Sequence, residues 1–427
     1  MTLNIKGIGK ILDSQIEMKG ITVIAGKNNT GKSTFGKVLY CMFNAFYNAD
    51  SSINDERVND INRILSSASL PGLFYRYQSV TQKILAGALS FANRAFSPVE
   101  MQRIIKDAVS EIPSGVSKPD DQIIDLLVDD LKKSISVKGD DIQKVIITRY
   151  FKSEFERQIN HVNKPELPGT VSLIIKGKPI KITISNNECT AFTDEVGILY
   201  DSIYIDTPFV VDEVQRYYTR NSRTFNPARY NLNTHHRDNL LHRLGQDNAE
   251  NTVIEEALIK QKINGLLASI GSVVDGEFKE DKEGLLYLEH GLQKPIPLSN
   301  VSAGIKAFLI IKRLLETGEI RERGVLIFDE PEIHLHPEWQ ISFAEILILL
   351  QKEFNLTILL TTHSPYFLHA IEIYGKKHGI ASGCNFYLAE TDGDTAGVRE
   401  VTDKIDEVYK QLAEPFQKLE DAVYQDA

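Results

Sequence analysis

The stretch Ala25–Thr34, AGKNNTGKST, constrains this chain more than any other. It fits the pattern G-x-x-x-x-G-K-S/T, with Gly26, Gly31, Lys32 and Ser33 at the fixed places. A polyphosphate must be approached closely by several backbone N–H groups, and glycine permits the tight turns this requires. The expected cradle runs from Gly26 through Asn28, Asn29, Thr30 and Gly31 to Thr34. Lys32 is expected to reach the outer phosphates, and the Ser33 hydroxyl to ligate Mg²⁺. The motif counts only between a strand and a helix. The β-branched run ITVIA, Ile21–Ala25, predicts the strand. Phe35, Val38, Leu39, Met42, Phe43 and Phe46 recur at helical spacing and predict the helix. Its N-terminus then offers partial positive charge to the phosphates.

A second segment completes such a site. GVLIFDEPEIHLHPEWQ begins at Gly324, and its apolar run ends in Asp329-Glu330. This reads as a strand buried on both faces, with carboxylates at the edge where ligands of parallel sheets gather. Asp329 is expected to hold Mg²⁺. Glu330 is expected to polarise water as a general base. LTILLTTHSPYF, from Leu356, reads as another buried strand ending near His363, and a helix beginning near Pro337 separates the two. That βαβ unit predicts His363 and Glu330 at one sheet edge. In LSNVSAGIKAFLIIKRLL, the turn Ser302-Ala303-Gly304 opens an apolar helix, a second helix end suited to an anion. Two such ends are redundant within one site, unless one caps a nucleotide held by another copy.

Length predicts about two or three domains. The net charge of −10 excludes a surface basic throughout, though not a local groove. No apolar run approaches the roughly twenty residues that span a bilayer. The opening MTLNIKGIGKILDS lacks a signal-peptide core. Cys41, Cys189 and Cys384 are odd in number and widely spaced, which predicts reduced thiols in a cytoplasmic protein.

The expected layout is one α/β core with a helical insertion. Residues 1–50 carry the phosphate loop and its strands. Residues 51–165 read as helices, among them SPVEMQRIIKDAVSEI, where Ser97 and Glu100 form a capping-box pattern. Residues 166–297 hold a hairpin turning at Lys176-Gly177 and a basic, aromatic lobe. Residues 298–380 return to the core, and 381–427 form a terminal hairpin and helices. Within the lobe, 216–243 interleaves bases with Tyr217, Tyr218, Phe225 and Tyr230. Such a segment suits nucleic-acid backbone, the nucleotide's own phosphates or an acidic partner. His235, His236 and His242 are a weak metal pattern. Asp392 and Asp394 in ETDGDT read as hairpin-turn chemistry rather than a metal pair.

Taken together, GKNNTGKST, SAGIKAF, LIFDEPEIHLHPEWQ and LLTTHSP resemble the ABC-type ATPase heads of chromosome-maintenance and double-strand-break-repair proteins. The acidic strand running into HLHP is most similar to the overcoming-lysogenization-defect (OLD) branch, which includes ATPase subunits of anti-phage systems such as PARIS and Septu. The resemblance covers about the first fifty residues and Leu298 to about Leu368. It implies a P-loop NTPase fold of ABC-head type and an ATPase using ATP and Mg²⁺. It also implies a homodimer or higher homo-oligomer in which Ser302 and Gly304 are donated in trans. Glu330 is then the catalytic base and His363 the switch histidine. The implied role is control of a separate effector, a nuclease or toxin, in anti-phage defence. The alternative is a DNA-repair or DNA-handling ATPase acting through 216–243. The signature departs from the family in reading Ser-Ala-Gly-Ile-Lys. No glutamine stands clearly where the family places one on Mg²⁺; Gln78 and Gln215 are the weak candidates.

Overall fold

The computed structural model describes residues 1–67, 76–214, 234–245, 253–281 and 284–425. They divide into two compact units. Asn48–Ile146 belongs to one. Met1–Tyr47 and most of the chain from Ile147 onward belong to the other.

The larger unit is built on an eleven-stranded mixed sheet. Its strands are β1 (Thr2–Ile8), β2 (Ile11–Glu17), β3 (Ile21–Gly26), β4 (Gly169–Ile175), β5 (Lys178–Ser185), β6 (Glu188–Asp194) and β7 (Ser202–Ile205). β8 (Gly276–Asp281), β9 (Gly284–Glu289) and β10 (Ile296–Pro297) form a separate antiparallel sheet. β11 (Val325–Asp329), β12 (Thr357–Thr362), β13 (Cys384–Asp392) and β14 (Thr395–Glu400) complete the large one. Its order is β6-β5-β4-β1-β2-β14-β13-β3-β12-β11-β7.

The half from β13 to β7 is parallel, and it carries the chemistry. Alternation along its strands explains why they read as continuous apolar runs. Leu326, Phe328, Ile358 and Leu360 join one buried cluster with the helices Ala303–Glu316, Pro337–Phe354 and Pro365–Lys377. Val325, Ile327 and Leu359 join another, with Phe35, Val38 and Leu39 of the helix Lys32–Phe46. Both faces are therefore covered, as parallel sheets require.

The other half is antiparallel except where β2 meets β14, and it contains the expected hairpin. Ile175 pairs with Lys178, and Lys176 and Gly177 both have positive φ (50° and 81°), the two-residue turn that suits strand twist. The β13–β14 hairpin likewise turns at Gly393-Asp394, with Asp392 opposite Thr395. Asp392 and Asp394 are exposed at that tip. Among the described residues, no third ligand group joins them.

The smaller unit consists of the helices Ala49–Ser67, Gln78–Leu89, Pro98–Ser110 and Asp121–Ile135, packed around Ile61, Ile84, Ile105 and Leu131. Half of the capping box forms here. Ser97 accepts the Glu100 N–H, but the Glu100 carboxylate turns to Arg94 (2.8 Å) rather than back to the cap. An available guanidinium is a stronger partner than a backbone amide. No helix among the described residues is long and apolar enough to cross a membrane.

Candidate functional site

The phosphate loop leaves β3 at Gly26 and enters its helix at Lys32, with Gly31 left-handed (φ 79°) at the cap position. Two positions require unusual backbone. Asn29 has φ 66°, which asparagine tolerates better than most residues. Gly26 has φ 154°, and a Cβ there would lie 2.6 Å from the Ala389 carbonyl oxygen of β13. The Thr30 hydroxyl donates to the Lys27 carbonyl (2.8 Å) and tightens the turn. Asn28 and Asn29 are exposed, and Ser33 and Thr34 are partly buried in the first helical turn.

Lys32 is buried. Its Nζ donates to the carbonyls of Gly26 (3.1 Å) and Lys27 (2.8 Å) and lies 3.2 Å from Glu330 Oε1. The phosphate-loop cation and the second carboxylate of Asp329-Glu330 therefore meet at one point. Sheet order makes this possible. β12 lies between β3 and β11, and all three run parallel, so their C-terminal ends open on the same edge.

Asp329 is held from two sides. Thr361, its register partner on β12, donates its hydroxyl to Oδ1 (2.5 Å), and the Tyr204 hydroxyl on β7 donates to Oδ2 (3.1 Å). Glu330 adopts φ 50°, a left-handed conformation rare for glutamate. Its N–H donates to Thr361 Oγ1 (3.0 Å), so one threonine fixes both acids. A carboxylate with its outer oxygens oriented in this way suits a hard divalent cation. Thr361→Val removes both bonds at nearly constant volume. Mg²⁺ affinity of the nucleotide-loaded protein is expected to fall about 10–100-fold. Metal titration of hydrolysis checks this, and an unchanged Mg²⁺ dependence would remove Thr361 from the site.

His363 follows β12. Its Nδ1 lies 3.6 Å from Glu330 Oε2 and 3.6 Å from Glu332 Oε1, with the side chain 41% exposed. Glu332 is nearly fully buried. It accepts the Thr362 hydroxyl (2.5 Å) and the His363 N–H (3.0 Å) on Oε1. Burial raises its carboxyl above the usual range, against those hydrogen bonds.

Ser302 caps the helix Ala303–Glu316, its Oγ accepting the Ile305 N–H (3.4 Å), and is exposed. Gly304 is buried against Trp339, where a Cβ would fall 2.8 Å from the ring. Packing alone thus requires glycine there. Beside it, Lys306 is buried and paired with Asp212 (2.7 Å).

Gln78 opens a helix of the smaller unit, and Gln215 lies outside the described residues. So do Tyr217, Tyr218, Phe225 and Tyr230. In the described end of the basic segment, the charges are spent internally. Arg237 binds Asp206 (2.6 Å), and buried Arg243 pairs with Glu319 (2.5 Å) and Asp201. His236 sits between Glu154 (2.7 Å) and Asp206 (3.2 Å) and stacks on Tyr204 (4.3 Å). Burial lowers the His236 imidazole, but the two carboxylates outweigh it and hold it above its usual value. Glu154, His235 and His236 have ligand-type atoms within 4.8 Å of one another. Both His236 nitrogens already face carboxylates, and His235 Nδ1 accepts the Arg237 N–H (3.2 Å). These histidines hold the wall behind Tyr204. His242 is partly buried on the same helix, His236–Leu244.

A strand-loop-helix phosphate motif faces an Asp-Glu pair across one parallel sheet edge. The family model described as an AAA ATPase domain matches residues 1–368. The chain belongs to the AAA ATPase domain family. A retron Ec83 probable ATPase of Escherichia coli is 42% identical over 50 residues, 12% of this chain and 9% of that protein. The Old nuclease of Escherichia phage P2 is 31% identical over 122 residues, 28% of this chain and 18% of the nuclease. The chain thus matches less than a fifth of either relative's length. Among solved structures, an SMC head domain from Thermotoga maritima aligns over 94% of this chain and 98% of its own, at 11% identity and TM-score 0.38. An Smc head from Pyrococcus furiosus bound to the C-terminal domain of ScpA aligns over 97% and 98%, at 10% identity and TM-score 0.40.

Three residues at this AAA ATPase site escape a reading of the sequence: Tyr204, Thr361 and Glu332. Tyr204 and Thr361 act across strands, and only register reveals them. Glu332 leaves a local signal, a third acid in DEPE, where the first two draw attention because they end the strand.

Proposed function

We propose that this chain is an ATP-hydrolysing switch whose output lies in a separate effector. Lys32 Nζ at 3.2 Å from Glu330 carries this reading, because it puts the phosphate-binding cation and the general base at one reacting point. Ser33 and Asp329 would hold Mg²⁺, which would supply charge neutralisation at the β- and γ-phosphates. Lys32 exchanges its glutamate for phosphate. Glu330, freed of the ammonium, takes the proton of the attacking water, and His363 faces the same space. The exposed Ser302 at a helix N-terminus suits the phosphates of a nucleotide held by a second copy, so two chains close head to head on ATP. Hydrolysis removes the anion that bridges them, which makes the closure a two-state device.

The relatives, a retron ATPase and a phage nuclease, support an effector that is a nuclease or toxin and a role in anti-phage defence. Arg237 and Arg243, at the described end of the basic segment, are paired internally, so the rival reading of a DNA-handling ATPase would rest on the rest of 216–243.

The test is purification of tagged Glu330→Gln from its native host in Mg-ATP, with mass and composition measured. Paired chains carrying a stoichiometric protein are the expected result. A single chain with ATP bound sinks the pairing. Nucleic acid without a protein transfers the reading to DNA handling.

A further inference from the structure

We infer that Glu332 is the positioning residue for His363, taking its Nδ1–H and so keeping the imidazole from neutralising Glu330. This rests on the hydrolytic reading above and adds a residue to it.

The geometry begins as a tie. His363 Nδ1 lies 3.6 Å from a carboxylate oxygen of each glutamate. Three observations break it. Glu330 already pairs with Lys32. Glu332 Oε2 is buried and has no hydrogen-bond partner, and His363 Nδ1 is buried in the same condition. The His363 N–H already donates to Glu332 Oε1, which ties ring and carboxylate to one backbone point. The 3.6 Å approach is to Oε1, which already accepts two bonds, so the free acceptor for the ring is Oε2 of the same carboxylate. Two unpartnered buried atoms on neighbouring side chains gain more from each other than either gains from solvent it does not reach. The network extends further. Gln340 donates to the Glu332 carbonyl (3.4 Å) and accepts the Ser364 hydroxyl (2.6 Å), bracing both ends of the pair.

The consequence appears when nucleotide binds. Lys32 moves to phosphate, and Glu330 loses its cation. Among the described residues, His363 is then the nearest cationic candidate to replace it, and a base paired to imidazolium takes no proton from water. With Nδ1 committed to Glu332, only Nε2 is presented to the nucleotide, and Glu330 stays free.

The test uses the full chain with ¹⁵N-labelled histidine, the His363 ring being assigned from its loss in His363→Asn. The expected wild-type tautomer has the proton on Nδ1. In Glu332→Gln, a buried amide N–H needs an acceptor, and Nδ1 is at hand, so the proton moves to Nε2. This readout needs no turnover, so it separates failure of this inference from failure of the hydrolytic reading. In ATP turnover, Glu332→Gln is expected to lower kcat about 10–100-fold. KM should hold within about twofold. Glu332→Asp restores part of kcat and covers the case in which the glutamine variant does not fold. Combined with His363→Ala, Glu332→Gln has no further effect. An Nε2–H tautomer in wild type, an unchanged tautomer in the variant, or additive losses in the double variant overturns the inference.

Discussion

Glu330→Gln is expected to lower ATP turnover by about 10²–10⁴-fold, the range that a positioned general base contributes. Binding should move the other way. Lys32 is held by Glu330 at 3.2 Å with the ammonium buried, and ATP must break that pair to engage it. Glutamine removes the competing charge. Calorimetry should therefore show Mg-ATP binding several-fold tighter than in wild type, on the order of 1 kcal/mol. Phosphate release within about threefold of wild type would remove Glu330 as the base. Weaker ATP binding would mean that the Lys32–Glu330 pair is no competitor.

The second large effect is loss of nucleotide in Lys32→Ala. The ammonium is the one side-chain cation contacting the loop carbonyls of Gly26 and Lys27 among the described residues. Its removal also leaves Glu330 uncompensated at the place where the phosphates must come. ATP affinity is expected to fall at least about a hundredfold, roughly 3 kcal/mol. The melting temperature should change little, because Lys32 bridges only the loop and a partly exposed acid. Retained ATP binding with the fold intact would sink the assignment of the loop.

Both predictions rest on residues that are legible in the sequence, because their signals are local. A phosphate loop is a run of neighbours, and so is an apolar strand ending in two acids. The hairpin at Lys176-Gly177 is readable for the same reason: glycine and its neighbour supply positive φ between alternating runs. What stays hidden is what pairing distant strands creates. Thr361 steadies Asp329 only because β12 lies beside β11 in the register that sets them opposite. Tyr204 reaches the same carboxylate because β7 takes the outer edge. Nothing in SIYIDTPF announces that neighbour. Gly304 shows a different blind spot. As part of SAGIK it reads as an anion-binding turn, yet the ring of Trp339 demands glycine whatever the turn binds. At the described end of the basic segment, composition does not show that Arg237 faces Asp206 and Arg243 faces Glu319.

The position of β3 has a bearing on how the molecule is made. This strand carries the phosphate loop, and both its neighbours, β12 and β13, come from the far side of the sequence. β13 even lies beyond the stretch matched by the family model. During synthesis the nascent phosphate loop leaves the ribosome without either partner. It waits for roughly 360 further residues, on the order of 20–70 s at ~5–20 residues per second. The helices of Asn48–Ile146 draw on close neighbours and can assemble in that interval. The phosphate-loop strand therefore gains both neighbours only after Cys384–Asp392 has emerged, and a ribosome stalled before Cys384 releases a product with that strand exposed along one edge.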